Sequence, residues 1–582
     1  MTEFQHTLAD YVRPHRKRYA LGVSLVLGSV LVSVASPFIV RFAIDELEGG
    51  DISYRRMAWY ALGYLAAALV GGAFGLAMRQ VLLSLSYRIE FEIRETIFAH
   101  LTRLDSYFFS RERTGDIMTK MTSDLNAVRE FLGQGVLQGA RTLMGFALAF
   151  GVMFSINVRL AAMMMLLLPC ISLLFFLLLR IIRRRYEATQ EQFSIISNFS
   201  QENFAGIRTI RGYGIEKRQR NVFRMLNEEY IRLKMALTRI ERPLWPMMSL
   251  LFGLGVVALL SVGGRLVIAG TLSIGEFVQF IQYLFMLQWP MLALGWTVNL
   301  LQRGAASWKR IQHIMQAQPR IQAEPDTGEH RDPVRGDLEF EHVTLSLGGM
   351  PVLHDISFSV GAGETVGITG PTGAGKSILI GLVPRLFDPD GGCVRLDGRD
   401  VRELPLAVLR QHIAMAPQEP FLFSDTLANN IAFGAPGADL EHIFHAADIA
   451  HLSPDVQTFP NRFETLLGER GVTLSGGQRQ RTAISRALAR SSSVLILDDV
   501  FSAIDTQTEA HIQAKLRPLL QTRTALIVSH RISTLRHADR IVVIENGRIT
   551  QQGTHRDLLL QPGYYRDLEE MQRLEAQLES RA

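Results

Sequence analysis

Two unlike domains in series are predicted, an α-helical domain with six membrane spans and then an α/β domain. Three observations carry this. In a chain of 582 residues, hydrophobic residues make up 48% and charged residues only 20%, which disfavours a disordered or wholly soluble protein. Charge-free windows lie at residues 19–40, 57–78, 142–158, 160–179, 243–264 and 277–302. After about residue 336 the pattern changes to short apolar runs bounded by glycine and polar residues, which is a strand pattern.

The windows have the length of membrane spans, because a helix rising about 1.5 Å per residue needs roughly 20 residues to cross a hydrocarbon core of about 30 Å. The third window is short. Residues 131–140 before it are also uncharged, so Arg141 reads as a membrane-edge residue. The first window is too long, and too poor in small residues at its end, for a signal peptide, so it is expected to stay in the mature protein. An even number of spans puts both termini on one side. Basic flanks at Arg13, Arg16, Lys17 and Arg18, and at Arg180, Arg183, Arg184 and Arg185, put that side in the cytoplasm. The expected location is therefore the plasma membrane, a bacterial inner membrane, with membrane lipids around the spans and the second domain cytoplasmic.

Other composition figures exclude more than they assert. The excess of 61 Lys and Arg over 56 Asp and Glu gives a formal charge of +5, too modest for a nucleic-acid partner. Two cysteines, Cys170 and Cys393, cannot build a disulfide framework.

Residues 79–130 and 180–242 contain no membrane window but many helix formers. Each is expected to form two arms of a long helical hairpin, reaching roughly 35 to 45 Å beyond the lipid. Bends are expected near Phe108–Asp116 and Gly206–Gly214, where small and turn-forming residues gather. The expected division is a membrane domain over 1–315, a linker over 316–336 rich in Pro, Gly and polar residues, and an α/β domain over 337–582.

In that α/β domain, the apolar run Thr365–Thr369 leads into Gly370-Pro371-Thr372-Gly373-Ala374-Gly375-Lys376-Ser377 and then Ile378-Leu379-Ile380. This is a strand, a phosphate loop and a helix. Glycines let the backbone turn tightly and aim its N–H groups at phosphate oxygens; Lys376 neutralises phosphate charge and Ser377 offers a hydroxyl to Mg2+. The companion is Val494–Asp499, a buried strand delivering carboxylates at its end. Asp498 is placed to hold Mg2+ and Asp499 to align a hydrolytic water. Gln418 is a candidate sensor touching Mg2+ or water, and His530, after the apolar run ending at Val528, a candidate contact to the γ-phosphate or the attacking water. Leu474-Ser475-Gly476-Gly477-Gln478 opens a further helix and forms a second anion-binding surface. The two surfaces lie far apart along the chain, and head-to-tail pairing of two domains would place two ATP molecules between them.

In this order the motifs resemble those of the ATP-binding cassette exporters, specifically half-transporters in which six membrane helices precede one P-loop ATP-binding cassette. The resemblance covers nearly the whole chain. It rests on Gly370–Ser377, Gln418, Leu474–Gln478, Val494–Asp499, Ser502–Asp505 and His530. It implies two cassettes closing on ATP and Mg2+, with Lys376 and Asp498 of one facing Ser475 and Gly477 of the other. It also implies coupling helices near 110–118 and 206–216, a receiving loop at Glu469-Arg470-Gly471, and communication across the dimer by Asp505.

Two positions depart from the family. Where hydrolytic exporters carry a glutamate after the Mg2+-associated aspartate, this chain has Asp499; where they offer an aromatic ring to adenine, it has Leu347. A carboxylate one methylene shorter is retracted from the water it must hold. The combination resembles the subunit that supplies the degenerate core motifs of a heterodimer, whose non-identical partner supplies a catalytic glutamate. A homodimer with two slow sites is the alternative. The family favours amphipathic drugs as cargo, with lipid or peptide as the alternative. Pathway candidates are Met163, Met164, Met165, Met247, Met248, Met286 and Met291 together with Gln279, Gln282, Gln288 and Asn299, although core packing is the default for the methionines.

Overall fold

The computed structural model describes residues 7–50, 53–321 and 334–579. The chain folds as two compact units, Met1–Arg103 with Glu112–Ala317, and Leu104–Arg111 with Gln318–Ala582.

The first unit is helical. Its long elements are Arg16–Glu48, Tyr54–Leu101, the run Thr114–Ile156, Val158–Ala205, Glu216–Glu241, Leu244–Ile268 and Ile274–Met315. Among the described residues, five helical segments are long and apolar enough to span a membrane. The remaining expected window, 160–179, falls in Val158–Ala205, where the side chains of 167–176 and 178–180, Cys170 among them, lie outside the described residues. A helix satisfies its own backbone in lipid, and its ends need separate partners. Asn157 Oδ1 accepts from Leu160 N at 3.1 Å, and Ser273 and Glu276 form a reciprocal capping box.

The helices outrun the charge-free windows. Between the windows 19–40 and 57–78 the first helix runs on to Glu48 and the next starts at Tyr54; Arg41 and Asp45 stay helical and find partners, Arg41 pairing with Glu276 at 2.7 Å and Asp45 accepting from Gly275 N at 2.9 Å. Both expected hairpins are present, with short helices Ser106–Arg111 and Ile207–Tyr213 at their bends. Two π-helical stretches, Lys120–Asp124 and Phe131–Gly135, interrupt the return arm of the first.

The core of this unit takes up three of the candidate methionines, as their default reading has it, and corrects the pathway reading of Gln279. Met164, Met248 and Met291 are buried among Val30, Leu82, Phe252 and Leu287, and Gln279 is fully buried, donating to the Tyr283 hydroxyl at 3.1 Å. Tyr283 in turn donates to Val34 O at 2.8 Å. These side chains hold helices together instead of lining a pathway.

The second unit contains ten strands among the described residues: β1 Leu338–Leu347, β2 Met350–Val360, β3 Thr365–Thr369, β4 Gly391–Leu396, β5 Arg399–Asp400, β6 Ile413–Ala416, β7 Val494–Asp498, β8 Thr524–Val528, β9 Arg540–Glu545 and β10 Arg548–Gly553. An antiparallel sheet runs β2-β1-β4-β5. A six-stranded sheet runs β10-β9-β3-β8-β7-β6, parallel from β9 to β6. Strands β3, β7 and β8 are buried along their whole length, which is why they read as unbroken apolar runs and not as alternating ones. One apolar cluster, including Leu379, Ile380 and Val528, covers one face of this sheet; another, including Ile484, Leu488 and Leu497, covers the other.

The segment Leu104–Arg111 belongs to this second unit. Tyr107 meets Phe387 edge-on at 5.4 Å, the Arg320 guanidinium lies 4.8 Å from the Tyr107 ring centre, and Asp105 Oδ2 accepts from Ile321 N at 3.2 Å. Within this unit the short helix Ser106–Arg111 is anchored by Tyr107, just upstream of 110–118.

Candidate functional site

The parallel strands β3, β8, β7 and β6 end at one edge of the sheet, and each delivers one of the groups singled out in the sequence. That edge is where open α/β sheets hold ligands. After β3 comes Gly370, with φ +143° and an imagined Cβ only 1.9 Å from Ile544 O, so no other residue fits. Gly375, with φ +95°, would press a Cβ to within 2.9 Å of Leu353. Between them Pro371, Thr372 and Gly373 turn at the surface, while Ala374 packs into the core and pins the loop.

Lys376 opens the helix Lys376–Gly381 and donates from Nζ to the carbonyls of Gly370 and Pro371, both at 2.8 Å. Its ammonium is thereby held inside the loop. Burial pushes its pKa down, and the charges of Asp499 and Asp498 oppose that shift. Ser377, next in the helix, has its hydroxyl near enough to the Asp498 carboxylate to favour its charged form. Asp498 is 4% exposed, and its Oδ1 is buried with no hydrogen-bond partner. Burial raises its pKa, the Asp499 charge adds to that, and Ser377 and Lys376 work against it. An orphaned carboxylate oxygen beside a serine hydroxyl fits a hard divalent cation with oxygen ligands.

Asp499 follows in a left-handed turn, φ +45°, and is 8% exposed. Its N–H donates to Val528 O at 2.9 Å, and its carbonyl accepts from Ser502 Oγ at 3.0 Å. His530, half-buried after β8, has its pKa lowered by burial first and by Lys376 next, with Asp499 opposing. Lys376, Ser377, Asp498, Asp499 and His530 thus form one constellation.

Other expected residues stand apart. Gln418 is exposed, two residues past β6. Leu347 ends β1 half-buried against the core. Leu474 is a core residue, so only its backbone is available to an anion. Ser475 caps the helix Gly476–Leu488: its Oγ accepts from Gln478 N at 3.2 Å, and Gln478 Oε1 accepts from Ser475 N at 2.9 Å. Gln478 Nε2 donates to Asp455 at 2.9 Å, so that side chain is structural at both ends. Gly477 sits close to the turn after Asp499, since a Cβ there would lie a tight 3.0 Å from Ala503 O. Asp505 caps the helix Thr506–Leu520 through Thr508 N at 2.9 Å. In the turn Glu469–Gly471, the Arg470 side chain lies outside the described residues.

Sequence reading passes over Gln480 and Arg531. Gln480 Nε2 donates to Ser502 Oγ at 2.7 Å and its Oε1 accepts from Ala503 N at 2.9 Å, tying the Ser475 helix to the turn after Asp499. Arg531 reaches the same turn from the His530 side, donating to Ile504 O at 2.9 Å. Both lie more than 20 residues from their partners, and only the sheet brings them together.

A helical membrane unit joined to an α/β domain with a phosphate loop and an Mg2+-fitting carboxylate defines a nucleotide-driven membrane protein. The ABC transporter transmembrane region matches residues 19–291 and the ABC transporter domain matches 353–502; the chain belongs to the ABC transporter family. It is 34% identical to the multidrug resistance-like ATP-binding protein MdlA of Escherichia coli, over 98% of this chain and 97% of that protein. It is 31% identical to an ATP-dependent lipid A-core flippase of Syntrophus aciditrophicus, over 97% and 94%. The structure of a bacterial Atm1-family ABC exporter with ATP bound superposes with a TM-score of 0.79 at 26% identity, covering 96% of this chain and 99% of that one. The protein is a multi-pass membrane exporter that couples ATP hydrolysis, with Mg2+, to transport.

Proposed function

We propose that this chain is one half of a heterodimeric exporter of amphipathic compounds and that its own core site hydrolyses ATP slowly. Asp499 carries the reading. Its carboxylate is one methylene shorter than a glutamate, and its backbone is fixed by Val528 and Ser502, so the turn cannot advance to make up the reach. In the dimer, Lys376 holds the phosphates and Ser377 and Asp498 hold Mg2+, with Gln418 reaching in as the cassettes close. Ser475 and Gly477 face the phosphate loop of a partner that supplies a glutamate. Six spans, a cytoplasmic N-terminus and cassette, and a bacterial inner membrane complete the assignment. The exposed Ile207 and Tyr213 of the second bend, and the exposed Phe421, Phe423 and Phe433 of the cassette, are apolar surfaces suited to coupling between the two chains.

A lipid exporter is the second reading, and one feature favours it. A groove of about 490 Å³ in the membrane unit is lined by Ser29, Ser33, Gly71, Gly75, Arg79 and Arg141. Two guanidiniums at the ends of charge-free windows suit an acidic headgroup.

Co-purification from the native membrane, then ATPase and transport assays in vesicles, test both. ATP-dependent accumulation of drugs and not of labelled lipid supports the first. A pure homodimer as active as its Asp499→Glu variant overturns the slow-site assignment.

A further inference from the structure

Of the groups converging on the phosphate loop, His530 sits on an irregular link between a strand and a helix. Strand β8 stops at Val528 and the helix Ile532–Leu535 starts only after Arg531. A side chain aimed from such a link acts only if its main chain is held.

Two side chains from outside the constellation hold it. Gln572, on the C-terminal helix Tyr564–Glu579, donates from Nε2 to His530 O at 2.6 Å and accepts at Oε1 from Ile532 N at 3.0 Å. One amide thus grips the chain on both sides of Arg531. From elsewhere in the fold, Arg531 donates to Ile504 O at 2.9 Å, to Ser502 O at 3.3 Å and to the Glu509 carboxylate at 2.5 Å. Glu509 is 1% exposed and also accepts from Ser533 Oγ at 2.9 Å and Thr534 Oγ1 at 2.7 Å. The helix carrying Gln572 is itself anchored. Its Tyr565 and Leu568 share a core cluster with Ile532 and Leu535, the residues that follow the grip.

We infer that Gln572 is a positioning residue for ATP hydrolysis, which sets the His530 imidazole by holding the main chain that carries it. The inference rests on the assignment of His530 to the hydrolytic site. Gln572 hydrogen-bonds neither Lys376 nor the carboxylates, and the main chain it grips most directly is that of His530.

The test uses the full-length chain in lipid nanodiscs, with ATPase measured against MgATP for Gln572→Ala, Gln572→Glu, His530→Ala and the double variant Gln572→Ala/His530→Ala. Each is made in the wild type and in the Asp499→Glu background. Gln572→Ala is expected to lower kcat about tenfold, since small misplacements of a reacting group are costly, with KM within about twofold and a slightly lower thermal midpoint, since two hydrogen bonds are lost. Gln572→Glu keeps an acceptor for Ile532 N but loses the donor to His530 O, and is expected to be as slow. The double variant is expected to be no slower than His530→Ala. If His530→Ala is slow while Gln572→Ala keeps the wild-type kcat, or if the two losses multiply, the positioning role is overturned. If His530→Ala itself keeps the wild-type rate, the histidine assignment fails and the inference falls with it.

Discussion

The amide nitrogen of Asp499 donates to the carbonyl oxygen of Val528 at 2.9 Å. This bond fastens the turn after β7 to the last residue of β8, two positions before His530. The acidic group and the imidazole are therefore built on one stretch of ladder. A change of side-chain length at 499 cannot be absorbed by moving the turn without disturbing His530.

Asp499→Glu follows from that rigidity. The longer carboxylate is expected to raise the ATPase rate of the purified chain by about tenfold or more, a general-base contact being worth on the order of 100-fold or more when well placed. The left-handed backbone, φ +45°, suits aspartate better than glutamate, so a destabilisation of about 1 kcal/mol is expected alongside. Turnover with and without a partner, and a thermal melt, check both. An unchanged rate counts against a carboxylate limited by reach.

Lys376→Ala removes an ammonium held by two loop carbonyls. Affinity for MgATP at this chain's core site is expected to fall about tenfold or more, since the charge that neutralises the phosphates is lost. The melting temperature without nucleotide should hold or rise slightly, because a buried cation is removed. Nucleotide titration by equilibrium binding reads the first, and calorimetry the second.

Asp498→Asn separates stability from function. The folded-state pKa of Asp498 is raised by burial, so its contribution to stability is full below the ordinary carboxylate pKa and is lost as pH rises through the raised value. At neutral pH the charged form is held at a cost in the nucleotide-free protein. The asparagine is therefore expected to melt higher without nucleotide at pH 7, a difference that shrinks toward pH 4, and to lose Mg2+-dependent hydrolysis. A lower melting temperature at pH 7 would show that the carboxylate is better satisfied than its unpartnered Oδ1 indicates.

Much of this was legible in the sequence, and the reason is local. The phosphate loop lies within eight successive residues, and β3, β7 and β8 are apolar throughout because both their faces are covered. What the sequence did not disclose was pairing at long range. Gln478 reads as an anion contact, yet Ser475 and Asp455 occupy it. Gln279 reads as a pathway residue, yet Tyr283 and the helix carrying Val34 bury it. Gln480 and Gln572 carry no motif at all, because their meaning depends on which turns the sheet places beside them. Helix ends were also misplaced, since a charge beyond a charge-free window stays helical when, like Arg41, it finds Glu276.

Ser475→Ala carries a structural and a functional loss that can be told apart. The serine hydroxyl accepts from Gln478 N and caps the helix Gly476–Leu488, so its removal is expected to cost about 1 kcal/mol of cassette stability. Ser475→Asp keeps an N-cap acceptor but sets a negative charge where the hydroxyl was. If Ser475 only caps, the aspartate variant restores both melting temperature and turnover. If it also faces the phosphates of a partner-built site, the aspartate restores the melting temperature and leaves ATPase low through charge repulsion. The second pattern is the expected one, read in the assembled dimer. MgATP affinity at this chain's own Lys376 site should stay unchanged, and a loss there equal to the loss of turnover would mean that Ser475 serves the site of its own chain.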